Sequence, residues 1–271
     1  MENESLMAIQ KPSAELPLGD SISLIFHLYS KNFFKFLVPV FVAYVLTGIL
    51  TALMFIYILT PIPNLSELLS TPQLWNWFLT YILPRLALLV VLGVIAAVMN
   101  LTAEFLLIKY ASDLIERGSA NLEDAFRFTL RKLGILIINS LIIGVIVVLG
   151  IIALVIPGII LAVMFSLTYP AILNENAGII NSLSRSRQLV SKRWLKTFAY
   201  FFVLAIIMSI FNYIVSLILT PVTIYSPIAS YVISIILIAF VIPITPIGVA
   251  VYYYSMLARE KLSLPQTPPS P

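Results

Sequence analysis

LGILIINSLIIGVIVVLGIIALVIPGIILAVMFSLTYPAILN, residues 133–174, is a run of 42 residues without a charged side chain. A second uncharged run, residues 197–258, is 62 residues long. A helix that crosses a membrane needs about 20 apolar residues, so each run is too long for one crossing and predicts two or three. The charged residues of the chain lie mostly between these apolar blocks, which predicts an integral membrane protein.

The composition excludes a soluble domain. Of the 271 residues, 61% are hydrophobic and 10% are charged, whereas soluble domains carry roughly 25% charged residues. The chain has no cysteine, which excludes disulfides and thiolate metal sites. Its net charge of +4 does not predict nucleic-acid binding, because basic residues beside spans orient a membrane protein and meet anionic headgroups.

Apolar runs and turn residues divide the chain into six predicted spans. Their ranges are about 36–59, 86–103, 134–156, 158–173, 196–219 and 229–257. Pro157-Gly158 is expected to break the first uncharged run, because proline disfavours a helical conformation in the residue before it and glycine relaxes the turn. The expected organisation is a flexible cytosolic N-terminus at 1–17, a six-span membrane domain at 18–261 and a disordered proline-rich tail at 262–271.

An amphipathic helix is predicted before the first, third and fifth spans. Ile22, Ile25 and Tyr29 share one face of the first of these helices by their spacing. The other two cover residues 121–133 and 179–194. We therefore expect an all-α fold in which an interfacial helix and two spans form a unit that is used three times. The alternative is that membrane amphipathicity alone creates this repeat.

The distribution of lysine and arginine predicts the orientation. Of the 16 residues of these two types, 15 lie in the N-terminal segment, the two central charged segments or the C-terminal region, and Arg85 is the exception. Cytoplasmic loops carry the excess of these residues in membrane proteins. Both termini are therefore expected in the cytosol, with the protein in the cell membrane and an even number of crossings.

One segment resembles a known family. Pro170, Glu175, Gly178, Leu183, Arg185, Ser186 and Leu189 lie in YPAILNENAGIINSLSRSRQL. This arrangement is similar to a motif of prokaryotic six-span proteins, which include stand-alone members and the membrane domain beside some glycerophosphodiester phosphodiesterases. A large aromatic often stands beside the family's serine, where this chain has Arg187. The resemblance implies the fold but no phosphodiesterase activity, because that activity resides in a separate soluble domain.

Four residues of this segment are candidates for a structural latch. Glu175 follows the fourth predicted span directly and could pair with Arg185 or Arg187, so that the next amphipathic helix, which carries Ser186, is held against the bundle. A carboxylate at this depth would be partly desolvated, which makes an arginine partner more important. The alternatives are a solvated acidic residue favoured by a helix dipole and a substrate or ion role.

Arg85, Asn100 and Glu104 are candidates for an intramembrane polar site. Ionisable residues in spans are often functional, but Arg85 and Glu104 bracket 18 uncharged residues, or about 27 Å of helix. Both side chains could therefore reach opposite interfaces. Asn100 adds polarity near Glu104, although such groups usually serve helix packing.

No catalytic motif stands out, so we expect no enzyme and no cofactor or metal. The favoured function is a non-catalytic membrane scaffold or accessory protein that organises lipid or an unidentified protein partner at the cytoplasmic leaflet. Anionic headgroups would meet the basic residues near the ends of the amphipathic helices. These candidates are Lys31, Lys35, Arg131, Lys132, Lys192 and Arg193. The alternative is a transporter or channel for a small solute or lipid.

Overall fold

The computed structural model describes residues 11–58 and 71–263, and every regular element in these two ranges is a helix. The helices are α1 (Leu18–Lys31), α2 (Phe33–Ile58), α3 (Thr71–Trp77), α4 (Leu83–Arg117), α5 (Leu122–Ala153), α6 (Val155–Met164), α7 (Thr168–Glu175), α8 (Ile179–Ser191), α9 (Trp194–Tyr225), α10 (Pro227–Ala239) and α11 (Ile244–Ser263). A π-helical turn, Phe78–Ile82, joins α3 to α4. The predicted all-α fold is confirmed.

Within the described residues, six helical segments are long and apolar enough to cross a membrane, as the sequence predicts. They are Phe33–Met54, Leu74–Arg117, Leu122–Ala153, Val155–Glu175, Trp194–Tyr225 and Pro227–Leu262. The fourth span consists of α6 and α7, and the sixth of α10 and α11. Residues 1–10, 59–70 and 264–271 lie outside the described residues, and with them much of the predicted flexible N-terminus and nearly all of the proline-rich tail.

Two of the three predicted amphipathic helices are separate from the span that follows them. α1 ends at Lys31 and α8 at Ser191. The third, expected at 121–133, is instead the first part of α5, which continues without interruption to Ala153. Gly134 is the residue at the junction, and a helix accommodates one glycine at a cost of about 1 kcal/mol. The three units of the repeat therefore differ at this point.

The turn between the third and fourth spans lies at Leu154 and not at Pro157-Gly158. Leu154 has an extended backbone and separates α5 from α6. Pro157 falls in the first turn of α6, where its missing N–H group would have had no helical partner. Gly158 serves the packing of the hairpin, since a Cβ atom at this position would lie 2.7 Å from the backbone nitrogen of Ile151.

The connection between the fifth and sixth spans is equally short. The break expected over 220–230 is confined to Ser226, because α9 continues through Pro221. The Ser226 hydroxyl accepts a hydrogen bond from the backbone N–H of Ala229 at 3.3 Å, and Pro227 is the first residue of α10. Serine before the first helical residue and proline at that residue are both favoured at a helix start.

The fourth and sixth spans are each interrupted inside the bundle. Residues 165–167 separate α6 from α7, and residues 240–243 separate α10 from α11. Pro170 and Pro246 lie in the first turn of the helix that follows each interruption. Backbone groups released by an interruption at membrane depth need other hydrogen-bond partners, and these partners are part of the site described below.

Tight packing is concentrated in one part of the bundle. The main cluster of buried side chains combines the C-terminal half of α4 with α11, α1 and the start of α2. Elsewhere the spans expose apolar side chains, among them Val90 (60%), Ile152 (75%) and Tyr213 (69%). The spans thus offer a broad apolar surface to a bilayer.

Candidate functional site on the charged face

Charged side chains meet at one end of the bundle around Arg185 of α8. The guanidinium group of Arg185 donates hydrogen bonds of 2.7 and 2.6 Å to the carboxylate of Glu260 and, through Nε, of 2.8 and 2.9 Å to that of Glu175. The Tyr253 hydroxyl donates to Glu175 at 2.7 Å. Hydrogen bonds between two charged groups are among the stronger ones in proteins, so Arg185 ties α7, α8 and α11 together. We call this end of the bundle the charged face; it comprises Glu175, Arg185, Tyr253, Glu260 and residues 11–17.

The two carboxylates keep Arg185 charged. Its hydrogen bonds to Glu260 raise the pKa of the guanidinium group most, burial opposes this, and the hydrogen bonds to Glu175 raise the pKa further. The net shift is upward. Arg185 therefore does not exchange protons at physiological pH, and the cluster acts as a fixed clamp between helices.

Ser186, the next residue of α8, closes the interruption of the fourth span. Its buried hydroxyl donates to the carbonyl oxygen of Met164 at 2.7 Å and accepts from the backbone N–H of Leu167 at 3.1 Å. One side chain thus satisfies backbone groups on both sides of the interruption. The fourth predicted latch residue, Arg187, is exposed and forms no ion pair with the described residues. The structure therefore brings together Glu175, Arg185 and Ser186 but not Arg187.

Tyr29 of α1 makes a corresponding contact at the interruption of the sixth span. Its hydroxyl donates to the carbonyl oxygen of Phe240 at 2.6 Å. Burial raises the pKa of Tyr29 to about 12, so the hydroxyl keeps its proton at neutral pH. Each of the two separate amphipathic helices therefore supplies a hydroxyl group to a different interrupted span.

Residues 11–17 lie against the bundle. The backbone N–H of Leu16 donates to the hydroxyl of Ser255 on α11 at 2.8 Å. Lys11 pairs with Glu116 at the end of α4, with 3.0 Å between nitrogen and oxygen. Residues 11–17 are thus in contact with two helices, α4 and α11.

Glu15 binds this segment to a cluster of cations. Its carboxylate side chain is 13% exposed, and a carboxylate so removed from water needs compensating charge. Three basic side chains from the α8–α9 junction, α9 and α11 surround it, namely Lys196 at 2.7 Å, Arg193 at 3.4 Å and Arg259 at 3.9 Å. Arg193, a candidate for a lipid headgroup, is thus already paired with an acidic residue of the protein.

The other headgroup candidates fall into two groups. Lys132 donates a hydrogen bond to the side-chain oxygen of Asn176. The remaining four are exposed and form no ion pair within the described part of the chain, and they are Lys31, Lys35, Arg131 and Lys192. Bulky apolar side chains are exposed beside them, with Phe34 at 73% and Leu195 at 70%. An exposed apolar group beside a cation is typical of a membrane interface.

The three intramembrane candidates do not form one site. Arg85 and Glu104 lie on the same helix, about 28 Å apart by its rise per residue. Arg85 is engaged locally: its guanidinium donates to the carbonyl oxygen of Tyr81 at 3.2 Å and lies 5.5 Å from the ring centre of Tyr57. It therefore belongs to the end of the bundle opposite the charged face.

Unbonded polar atoms surround the inner half of α4. Glu104 is partly buried and makes no hydrogen bond with the described residues, although its carboxylate interacts electrostatically with Tyr44 and Tyr169. The side-chain oxygen of Asn100, one turn earlier, is buried and has no hydrogen-bond partner among the described residues. Asn139 of α5 is fully buried, and neither atom of its amide is bonded within the described structure.

Three residues of the charged face were not singled out by the sequence. Glu260 lies between Arg259 and Lys261 at the end of the last span, and an acidic residue in such a basic setting is a usable signal of a buried pair. Tyr253 is hidden in a run of three tyrosines, and Glu15 in an acidic, polar segment. Nothing in the local sequence separates these two from ordinary interfacial or solvated residues.

The geometry suits helix clamping and contact with anionic groups. Among residues 11–58 and 71–263, no group of three or more His, Cys, Asp or Glu side chains could hold a metal ion. Comparisons with protein-family models, curated proteins and solved structures find no match to this chain. The resemblance to the six-span family therefore stays a prediction, and the six apolar helices indicate a multi-pass membrane protein.

Proposed function

We propose that this protein is a non-catalytic membrane scaffold that gathers anionic lipid at the cytoplasmic leaflet. The observation that carries this proposal is the group of exposed cations that have no ion pair within the described residues and lie beside exposed apolar side chains. Lys31 and Lys35 flank Phe34, and Lys192 precedes Leu195. The apolar groups can enter the acyl region while the amines remain at the level of lipid phosphates.

The hydrogen bonds that hold α1 and α8 to the spans support a defined arrangement of lipid over a non-specific electrostatic attraction. α1 is bonded to the sixth span through Tyr29, and α8 is bonded to the fourth span through Ser186 and to α11 through Arg185. The cations at the ends of these helices therefore have defined positions. A protein partner could use the same face, and the lysine and arginine bias supports its cytosolic orientation.

The test compares two double variants that remove the same charge. In Lys31→Gln/Lys192→Gln, the cations lost have no ion pair with any described residue. In the control, Lys11→Gln/Arg127→Gln, they are already paired with Glu116 and Glu123. Each protein is reconstituted with phosphatidylcholine and phosphatidylglycerol, and spin-labelled lipids report the preference for phosphatidylglycerol at the protein surface.

We expect the first variant to lose several-fold of this preference, because a lysine near an anionic surface contributes about 1 kcal/mol. The control should retain it, since its cations are compensated within the protein. Equal lipid preference in the wild type and the Lys31/Lys192 variant would overturn the proposal.

Transport of a small solute or lipid is the second candidate. The unbonded polar atoms of Asn100 and Asn139 and the partly buried Glu104 favour it, because polar groups inside a bundle can line a path. Glu104→Gln should then change flux in proteoliposomes, whereas Asn212→Ala, at an exposed amide bonded only within its own helix, should not. Identical flux in wild type and Glu104→Gln would contradict this function.

A further inference from the structure

The first three spans border a lateral cleft. Both α2 and α5 pack against α4, and a cleft of ≈ 810 Å³ lies among the three helices. This volume is within the ~300–1,000 Å³ of typical small-molecule sites. Val38, Val42, Phe126 and Leu130 line it, and their side chains are 41–50% exposed. The cleft is therefore apolar and open toward the surroundings of the bundle.

One end of the cleft is polar. Glu123 lines it at the first turn of α5, and Arg127 compensates this carboxylate at 2.5 Å. Lys35 stands three residues before Val38 and shares the cleft-lining face of α2 by helical spacing. Lys35 and Arg131, the latter beside the lining residue Leu130, are exposed and have no ion pair in the described ranges.

The charges at this end favour an anion. Lys35 and Arg131 have no ion pair among the described residues, and the exposed carboxylate of Asp124 is the opposing charge on the same turn as Glu123, which Arg127 already compensates. The excess is positive. An occupant that fits both ends of the cleft must therefore be apolar along most of its length and anionic at one end.

The bilayer itself supplies such a molecule. Apolar walls offer water no hydrogen-bond partners, so a cleft that opens sideways at membrane depth is not filled by water. Acyl chains are the apolar groups present at that depth, and anionic phospholipids add a phosphate at the interface, where basic side chains attract it.

We infer that the cleft among α2, α4 and α5 binds one acyl chain of an anionic phospholipid, with its phosphate near Lys35 and Arg131. This deepens the proposed function and rests on it, because it adds a fixed lipid site to a surface that gathers anionic lipid. The site is separate from Lys192 and α8, which allows the two ideas to be tested apart.

The first arm of the experiment fills the cleft. Val42→Trp places a bulky ring in it, and Val94→Trp is the matched control, because Val94 has a similar exposure (57% against 50%) and does not line the cleft. The proteins are released into a native mass spectrometer from nanodiscs of equal parts phosphatidylcholine and phosphatidylglycerol. We expect Val42→Trp to lose one tightly bound phosphatidylglycerol and Val94→Trp to retain it, with both variants eluting as the wild type does.

The second arm tests the charge. Lys35→Gln should lower the ratio of phosphatidylglycerol to phosphatidylcholine in the retained lipid about fivefold, which corresponds to about 1 kcal/mol. Lys261→Gln, which removes an exposed lysine far along the chain at the end of α11, should leave the ratio unchanged. An unchanged ratio in Lys35→Gln overturns the headgroup assignment.

If Val42→Trp and wild type retain the same amount of bound phosphatidylglycerol, the cleft site is overturned. The spin-label measurement on Lys31→Gln/Lys192→Gln separates this failure from that of the proposed function. If that variant loses its surface preference while Val42→Trp keeps its bound lipid, only the cleft site fails. If Lys31→Gln/Lys192→Gln keeps its surface preference while Val42→Trp loses its bound lipid, the scaffold proposal fails.

Discussion

The hydroxyl of Tyr29 lies 2.6 Å from the carbonyl oxygen of Phe240, which is 211 positions further along the chain. The helix before the first span thereby closes the interruption of the last one. Ser186, on the helix before the fifth span, does the same for the fourth at Met164. The helix before the first span therefore binds the sixth span, and the helix before the fifth span binds the fourth.

Removing the Tyr29 hydroxyl should weaken this closure. We expect Tyr29→Phe to lower the free energy of unfolding by about 0.5–1.5 kcal/mol, the net value of a typical hydrogen bond. Tyr225→Phe, at a side chain that is 90% exposed, should have no effect. Unfolding titrations with dodecyl sulfate in mixed micelles measure both variants, and equal losses would contradict the assigned contact.

The difference in unfolding free energy between wild type and Tyr29→Phe is expected to depend on pH. The pKa of Tyr29 rises from 10.0 to about 12 on folding through burial, so between these values the unfolded chain loses the proton first. The stabilisation by this residue is therefore complete below pH 10 and is lost as pH rises toward 12. The difference in unfolding free energy between wild type and Tyr29→Phe should shrink across that window, and a constant difference would refute the prediction.

Ser186→Ala should cost more than a surface serine. It leaves the carbonyl of Met164 and the N–H of Leu167 without their shared partner, and unsatisfied buried groups cost about 1–3 kcal/mol. Ser184→Ala, two residues earlier on the exposed side of α8, should change stability by less than about 0.5 kcal/mol. Thermal unfolding in detergent distinguishes them, and similar melting temperatures would speak against the closure by Ser186.

Arg185→Gln should open the clamp on the charged face. The carboxylates of Glu175 and Glu260, at 31% and 26% side-chain exposure, would then lose the cation that they share. Because the site lies between a surface and a buried ion pair, we expect a loss of about 1–3 kcal/mol. Arg187→Gln removes the same charge from an exposed residue that pairs with no described carboxylate, and it serves as the control in the same thermal assay. Equal stabilities of the two variants would exclude a clamp.

Asn139→Leu is expected to stabilise the protein. The amide is fully buried and neither of its atoms is bonded in the part of the chain that the structure describes, and removing an unsatisfied polar group is worth about 1 kcal/mol or more. Asn212→Leu, where the amide donates to the carbonyl of Met208, should bring no gain. A loss of stability in Asn139→Leu would mean that water or an ion satisfies the amide, which would strengthen the transport alternative.

Glu15→Gln should release residues 11–17 from the bundle. Without the carboxylate, the basic side chains around it lose their common partner, and the N–H of Leu16 should exchange with solvent roughly tenfold faster. Asp20→Asn, at an exposed carboxylate that forms no ion pair in residues 11–58 and 71–263, is the control. Hydrogen exchange monitored on the peptide that contains Leu16 gives the answer, and unchanged protection would show that Glu15 does not hold the segment.

The sequence predicts the spans well because their signal is additive over about 20 residues, whereas single contacts depend on geometry. The number of spans follows from uncharged runs that no other fold explains. The turn at Leu154 is not predicted, because Pro157 is as compatible with the start of a helix as with its end. The sequence also does not predict that residues 121–133 merge into α5. The basic residues Arg131 and Lys132 indicate a membrane interface, but a helix can either end or continue at such a position.

The candidate site is predicted in part. Glu175 and Arg185 are close in sequence, so a pairing between them can be proposed without the fold. Glu260 is 75 positions from Arg185, and its partner is identified only by the packing of α11 against α8. Glu15 is likewise identified only when the N-terminal segment is seen beside α9 and α11.

The single-residue connections at Leu154 and Ser226 have a practical consequence. A helical hairpin closed by one residue has no extended loop that an antibody could bind or a protease could cleave. Within the described residues, exposed side chains at these connections include Leu154 (68%) and Tyr225 (90%), which offer apolar and aromatic surface. Binders intended to report on this protein in cells should accordingly be raised against the opposite side, where folded polar surface is plentiful.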